Sequence, residues 1–581
     1  MASYSLNALL ALTFVSGSLG QSGTETVWAS FAYVLHGERT PPLGETSVIL
    51  TPSGAQQLYS QGSLFRARYL SNTLSDEEHR ITTNSPIVGL EQDTLDNSQL
   101  SIYSSTDDVV TASTLAFMQG LYPPVSGTSA SSNASSDAST LANGTTVEYP
   151  LDGYQYPNIQ TLSGLDPNSI WLDGHSACSE YWSSGNDFRD EAYSVQMYNS
   201  SLDFYQETWS EVFPDTLSAS TVNFDRAYDL YEYALYEYNH NQSVRDSLND
   251  ARLARLRNLA DAQQFALNGD LSASGLQSGD RIRAIAGRML AGKVVAQLSN
   301  QIASGGSSNK LSLAFGSFEP FLAFFSLSGL SDSNNNTVLF KQVPQPGAAM
   351  VFELFSTAAG GNDTSDYPGY DELWVRFLYR NGTDLSAPLE EYPLFGLSEA
   401  RMQWADFRQL VNAFAIKDIT GWCQTCDAVT LFCIALDDTP GSDGSTTLFG
   451  SGGGSSSLSP AVAGVIGAVI ALAVFGVAAA AAFVFGGLRI RRNDGSSRSS
   501  GSLGGFKGAE KLASDHDVSI VKSGARHERV GSWELGGPGP STTGLPSKND
   551  PAFFGAAVQQ NRDEDAESIM GRAPIKPLES I

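Results

Sequence analysis

The chain is short of positive charge and of histidine. Of 581 residues only 34 are Lys or Arg against 62 Asp or Glu, and six are His. The deficit is uneven: Arg489 to Ile581 holds 13 basic and 12 acidic residues, which leaves 21 against 50 before it, a net charge of −29. Such a surface repels nucleic acid and anionic membrane, so neither is an expected partner of that part. It also argues against a polyanionic substrate such as inositol hexaphosphate. No histidine occurs between His240 and His516, and His79, His175 and His240 lack the His-x-x-x-His spacing of a metal site. They read as ordinary surface or core residues, and no metal or other cofactor is expected. Phosphate-cradling nucleotide loops, G-x-S-x-G elbows and solenoid repeats are absent as well.

Cysteine is scarce too, with Cys178, Cys423, Cys426 and Cys433 the complete set. Cys423-x-x-Cys426 has no second ligand pair nearby for zinc, so structural disulfides are the expected role. Three pairings are possible, and spacing does not choose among them.

Long apolar runs are confined to the ends. Leu9 to Val15 is a short apolar core followed by small residues up to Gly20, the pattern of a secretory signal over residues 1–20, although no positive charge precedes it. Ala461 to Leu488 is an unbroken apolar run of 28 residues, long enough to cross a hydrocarbon core. Arg489, Arg491 and Arg492 follow, which places the C-terminus in the cytoplasm by the positive-inside rule. A further 93 residues argue against a glycolipid anchor. The expectation is a single-pass type I membrane protein in the plasma membrane or secretory pathway, with its larger part extracellular or luminal. Seven N-x-S/T sequons, at Asn133, Asn143, Asn199, Asn241, Asn335, Asn362 and Asn381, fall on that outward side with the cysteines.

Between these ends, residues 21–436 read as the folded ectodomain. Thr128 to Thr146, rich in Ser, Ala, Thr and Asn, reads as an exposed insertion. Asp225 to Gly269 predicts helix, with Leu256, Leu259, Ala260 and Leu267 on one face. Asp280 to Ser304 predicts a second amphipathic helix carrying Ile282, Ile285, Met289, Leu290, Val294 and Leu298. Residues 437–460 form a Gly/Ser-rich stalk, and residues 489–581 a tail without periodicity that is expected to be disordered.

The most informative stretch is Phe31 to Leu43, FAYVLHGERTPPL. Alternating Phe31, Tyr33 and Leu35 suit a buried strand, Gly37 permits a sharp turn, and Pro41 and Pro42 stop the strand. His36 and Arg39 can then face one small anion, the arginine offering a planar fork that matches phosphate oxygens. The stretch resembles the RHGxRxP motif of the histidine acid phosphatases, branch 2 of the histidine phosphatase superfamily. Leu50 to Leu70 resembles the helix after that motif, Asp107 to Pro123 the next conserved block, and MVFELF with VRFLYRNG the late strand pair. The resemblance spans roughly Trp28 to Cys433 and extends to membrane-anchored fungal surface proteins. It implies an α/β fold in which helices flank a mixed central sheet, with a smaller helical subdomain and, here, one transmembrane helix.

The resemblance also implies phosphomonoester hydrolysis through a phosphohistidine. His36 takes the nucleophile position and Arg39 the position of a phosphate-binding arginine. Other positions depart from the pattern. Leu35 stands for the first arginine, Val109 for the arginine of the next block, and Ser317 and Phe318 for a late His-Asp pair. His516-Asp517 lies past the apolar run and is set aside. Glu319, in the same loop as Ser317, is the candidate proton donor. Arg66, Arg68 and Arg80 are alternative cations, with helix-surface or salt-bridge roles as the competing reading. Two functions stay open: a cell-surface acid phosphatase with weakened or lost activity, acting on a phosphomonoester, or a non-catalytic binding or signalling ectodomain that recognises a small anion or surface glycan.

Overall fold

Eight strands form one mixed sheet in the computed structural model, which describes residues 25–437 apart from 44–46, 72–73, 76–77, 126–139, 215, 333–337 and 358–365. They are β1 (Glu25–Leu35), β2 (Leu100–Ser105), β3 (Ile159–Leu162), β4 (Leu311–Gly316), β5 (Ala349–Thr357), β6 (Leu373–Arg380), β7 (Glu390–Tyr392) and β8 (Arg401–Gln403). The order is β3-β2-β4-β1-β5-β6-β7, and β8 also pairs with β6. β3, β2, β4 and β1 are parallel, whereas β5 and β6 continue the sheet antiparallel. β1 therefore lies where the two halves meet, and His36 follows its C-terminal end. In open α/β sheets, ligands bind in the crevice beyond the carboxyl ends of the parallel strands.

The longer helices are α1 (Pro52–Tyr69), α2 (Asp108–Leu121), α3 (Ser179–Asp187), α4 (Ala192–Val212), α5 (Ala227–His240), α6 (Asp250–Asn268), α7 (Ile285–Ala303), α8 (Glu319–Leu327), α9 (Trp404–Asn412), α10 (Ile419–Cys426) and α11 (Leu431–Asp437). The alternation in β1 predicts one buried face, but both are buried. Phe31, Tyr33 and Leu35 pack with Leu290, Val294, Phe321 and Phe324 of α7 and α8. Ala32 and Val34 pack on the opposite face with Leu58, Phe65 and Phe117 of α1 and α2. Helices on both faces require a strand that is apolar throughout.

A separate helical core joins Tyr205 and Trp209 of α4, Leu230 and Ala234 of α5, and Leu256 and Ala260 of α6. The helix predicted over Asp225 to Gly269 is interrupted at Asn241 and Asn249, whose side chains accept from Ser243 N and Arg252 N and so cap new helices. Asp280 to Ser304 is helical from Ile285, after a 3₁₀ turn at Ile282–Ala284.

The cysteines pair as Cys178–Cys426 and Cys423–Cys433, so Cys423 and Cys426 are not bonded to each other. The first bridge ties the start of α3 to α10, and both sit in a cluster with Ile285, Met289 and Trp422.

Among the described residues no helix is long and apolar enough to cross a membrane. The expected signal, apolar run and tail, all but one residue of the stalk, much of the Ser/Thr-rich insertion, and Asn133, Asn335 and Asn362 lie outside the described residues. Asn143, Asn199 and Asn241 are exposed, and Asn381 is half-buried with its carbonyl accepting from Gln345 N.

Candidate active site

The chain beyond β1 is pinned from several sides. His36 N donates to Gly316 O at the end of β4 (3.2 Å), and its carbonyl accepts from Gly347 N (3.0 Å). Gly37 N donates to Ser113 Oγ of α2 (3.1 Å), and Glu38 N to Gln57 Oε1 of α1 (2.8 Å). The start of α1 touches this turn backbone to backbone. A Cβ on Gly37 would overlap Gly54 O, and one on Gly54 would overlap Glu38 O, so both positions need glycine. Thr51 caps α1 by accepting from Gly54 N (3.0 Å), and its hydroxyl also donates to Glu38 Oε1 (2.8 Å).

His36 is buried, and its Nδ1 lies 2.8 Å from Gly37 O. A carbonyl only accepts, so Nδ1 carries the proton and Nε2 keeps a free lone pair. Burial, helped by the Arg39 charge, lowers the imidazole pKa from 6.5 to about 4, against the opposing pull of Gly37 O, Asp107 and Glu319. The ring is therefore neutral in mildly acidic solution.

His36 and Arg39 line a cleft together with Glu38, Tyr228, Tyr231, Glu232, Leu235, Tyr236, Arg257 and the turn from Val343 to Pro346. Arg39 does not reach into it as a free cation. Its Nε and Nη2 donate to the two carboxylate oxygens of Glu232 on α5, at 2.8 and 3.2 Å. Burial opposes the Arg39 charge, but Glu232 more than offsets it and holds the guanidinium pKa above its ordinary value. Glu38 is held by His240 Nε2 (2.9 Å) at the end of the same helix. Arg257 donates to Tyr231 Oη (3.4 Å) and Val343 O (3.2 Å), with Asp261 Oδ2 3.5 Å from its Nε.

Glu319 is the first residue of α8 and is not part of the cleft lining, although its charge acts on His36. Its Oε1 lies 3.6 Å from His175 Nε2, whereas Oε2 is buried without a hydrogen-bond partner. His175 Nδ1 and Ser317 Oγ are also buried and unpartnered. Asp173 belongs to the same group. Burial raises its pKa from 3.8 to about 6, with Glu319 and Asp107 adding to the shift and His175 opposing it. Asp107 caps α2 through Val109 N (2.9 Å) and Val110 N (3.2 Å).

The departures from the motif are apolar at Leu35, Val109 and Phe318 and polar at Ser317. Leu35 and Val109 are buried, and Phe318 is buried with its ring 4.7 Å from that of Tyr228. The three alternative arginines lie elsewhere: Arg66 pairs with Asp93, Arg68 with buried Glu353, and Arg80 is exposed. Sequence reasoning missed Glu232, Arg257, Asp173 and the position of His175. A trace existed for Glu232 alone, since Tyr228, Tyr231, Glu232, Leu235 and Tyr236 recur at helical spacing along one stripe. Nothing local marks His175, which the fold brings to Glu319 from a distant loop. No group of side chains that could hold a metal ion occurs among the described residues.

His36, on the turn after the strand where the sheet changes from parallel to antiparallel, and Arg39 three residues on stand together at one cleft of an α/β protein. A profile of the histidine phosphatase superfamily (branch 2) matches residues 35–380, and the chain belongs to that family. A search of curated proteins found none that matches. Similar solved structures include the Hafnia alvei phytase in complex with tartrate, at 13% identity and a TM-score of 0.41, covering 68% of this chain and 98% of the phytase. The Klebsiella sp. ASR1 phytase shares 10% identity at a TM-score of 0.42, with 68% and 97% covered. The Bifidobacterium longum multiple inositol polyphosphate phosphatase in complex with inositol hexasulfate shares 13% at 0.39, with 69% and 95% covered.

Proposed function

We propose that this domain hydrolyses small phosphomonoesters, slowly, through a phosphohistidine at His36. The observation that carries the reading is the imidazole itself: Nδ1 is committed to Gly37 O, and Nε2 is free and unprotonated in mildly acidic solution. Nε2 attacks phosphorus, and the N–P bond forms as the ester P–O bond breaks. Glu319, whose charge reaches His36 from beside the cleft, gives a proton to the leaving oxygen. Water then attacks phosphorus and returns a proton to Glu319 while the N–P bond breaks, releasing orthophosphate and neutral His36. Asp173, which keeps its proton to about pH 6, stands within electrostatic reach of Glu319 as a second carboxyl.

Slowness follows from the cations. One arginine on a transferring phosphoryl group is worth roughly 10³–10⁵ in rate. Leu35 and Val109 supply none, and Arg39 has its Nε and Nη2 engaged by Glu232. The same facts favour a second reading, a binding domain that has kept the fold. Hydrolysis of an aryl phosphate by the full chain, measured between pH 3 and 7 beside His36→Ala, separates them. Turnover that disappears in the variant supports the hydrolase. Turnover equal to the variant's leaves only binding.

We also propose that the domain stands outside the cell or in the lumen on a single-pass anchor. The apolar run, the sequons and two disulfides on one side of that run support this. Protease protection of the tail in sealed vesicles, with glycosidase sensitivity of the ectodomain, tests it.

A further inference from the structure

The ionised groups lining the cleft cancel before any ligand arrives: Glu38 and Glu232 against Arg39 and Arg257. Glu232 holds Arg39 through Nε and Nη2, so a phosphate monoester that engages Arg39 meets it at Nη1, with the carboxylate beside it. The Glu232 carboxylate then shares Arg39 with the incoming phosphate in a half-buried cleft. Two anionic groups on one guanidinium are unfavourable in such a place. A substrate that brings its own cation removes the conflict. The walls suit one: Tyr228, Tyr231 and Tyr236 line the cleft on the helix that carries Glu232, and the Tyr231 ring already holds the Arg257 guanidinium at 5.9 Å.

Resting on the hydrolase reading above, we infer that the cleft selects phosphomonoesters of alcohols that carry an ammonium group. The phosphate takes Arg39, and the ammonium takes Glu232 among the tyrosines. Polyanionic esters are disfavoured by the same account, since each further phosphate adds charge that the lining cannot neutralise.

The test compares phosphocholine with neohexyl phosphate, in which carbon replaces the choline nitrogen, on the purified full chain. A kcat/KM about tenfold or more higher for phosphocholine is expected, the factor that one partly screened charge pair supplies. In Glu232→Gln the ratio should fall towards one. Equal kcat/KM for the two esters, with turnover that needs His36, overturns the proposal while leaving the hydrolase reading intact. The wild-type comparison holds whether or not the Gln variant folds. If neither ester is turned over through His36, the hydrolase reading fails, and calorimetric titration of His36→Ala decides the selectivity separately. Tighter binding of phosphocholine upholds it, and equal or absent binding overturns it.

Discussion

Protonation of His36 removes the lone pair that the proposed attack uses. Its pKa in the fold is lowered to about 4, so the imidazole remains neutral well below the ordinary value of 6.5. His36-dependent kcat/KM should therefore rise through about pH 4. A rise centred near 6.5 would mean that the ring is solvated rather than buried. His36 and Arg39 were legible in the sequence because the motif is contiguous and its chemistry is local. The residues that decide how they behave were not: Glu232 lies 193 positions from Arg39, and only the packing of α5 across the cleft joins them. His175 looked ordinary because its neighbour Glu319 comes from another strand end.

At the level of elements, the family resemblance announced α1, α2 and the β5–β6 pair, and the period of the apolar residues announced α7. It did not show that β1 is covered on both faces, since alternation marks one face only. The cysteine spacing was equally silent: the C-x-x-C pair looked like a unit, but the fold bonds each member elsewhere. Contact between α1 and the turn after β1 lives wholly at this scale. Gly54→Ala should push that turn away from the helix, destabilising the fold by about 1–3 kcal/mol through overpacking. It should also lower His36-dependent kcat/KM, as read by denaturant midpoint and turnover on the same sample. A variant as stable and as active as the parent would mean that the two backbones are not in contact.

Across the whole molecule, a buried ion cluster holds the sheet to α1. Glu353 on β5 accepts from Arg68 Nε (2.6 Å) and Nη2 (2.9 Å), from Tyr69 Oη (2.6 Å) and from Arg376 Nε (2.5 Å). Burial pushes the Glu353 pKa up, but Arg68 and Arg376 prevail and bring it from 4.5 down to about 2. A carboxyl with a lowered pKa stabilises the fold fully above its unfolded value. That contribution is lost as pH falls from about 4.5 through about 2. Glu353→Gln should cost about 3–5 kcal/mol near pH 6, and chemical denaturation should show the gap to wild type narrowing below pH 4.5. A gap independent of pH would assign the loss to packing alone. The pair of Arg39 with Glu232 belongs to this scale as well, because it joins the turn after the central strand to a helix of the separate helical core. Besides it, Glu38 with His240 fastens the same turn to the same helix. An anion on Arg39 competes with Glu232 for one of these two fastenings, so filling the cleft and loading its wall are a single mechanical event.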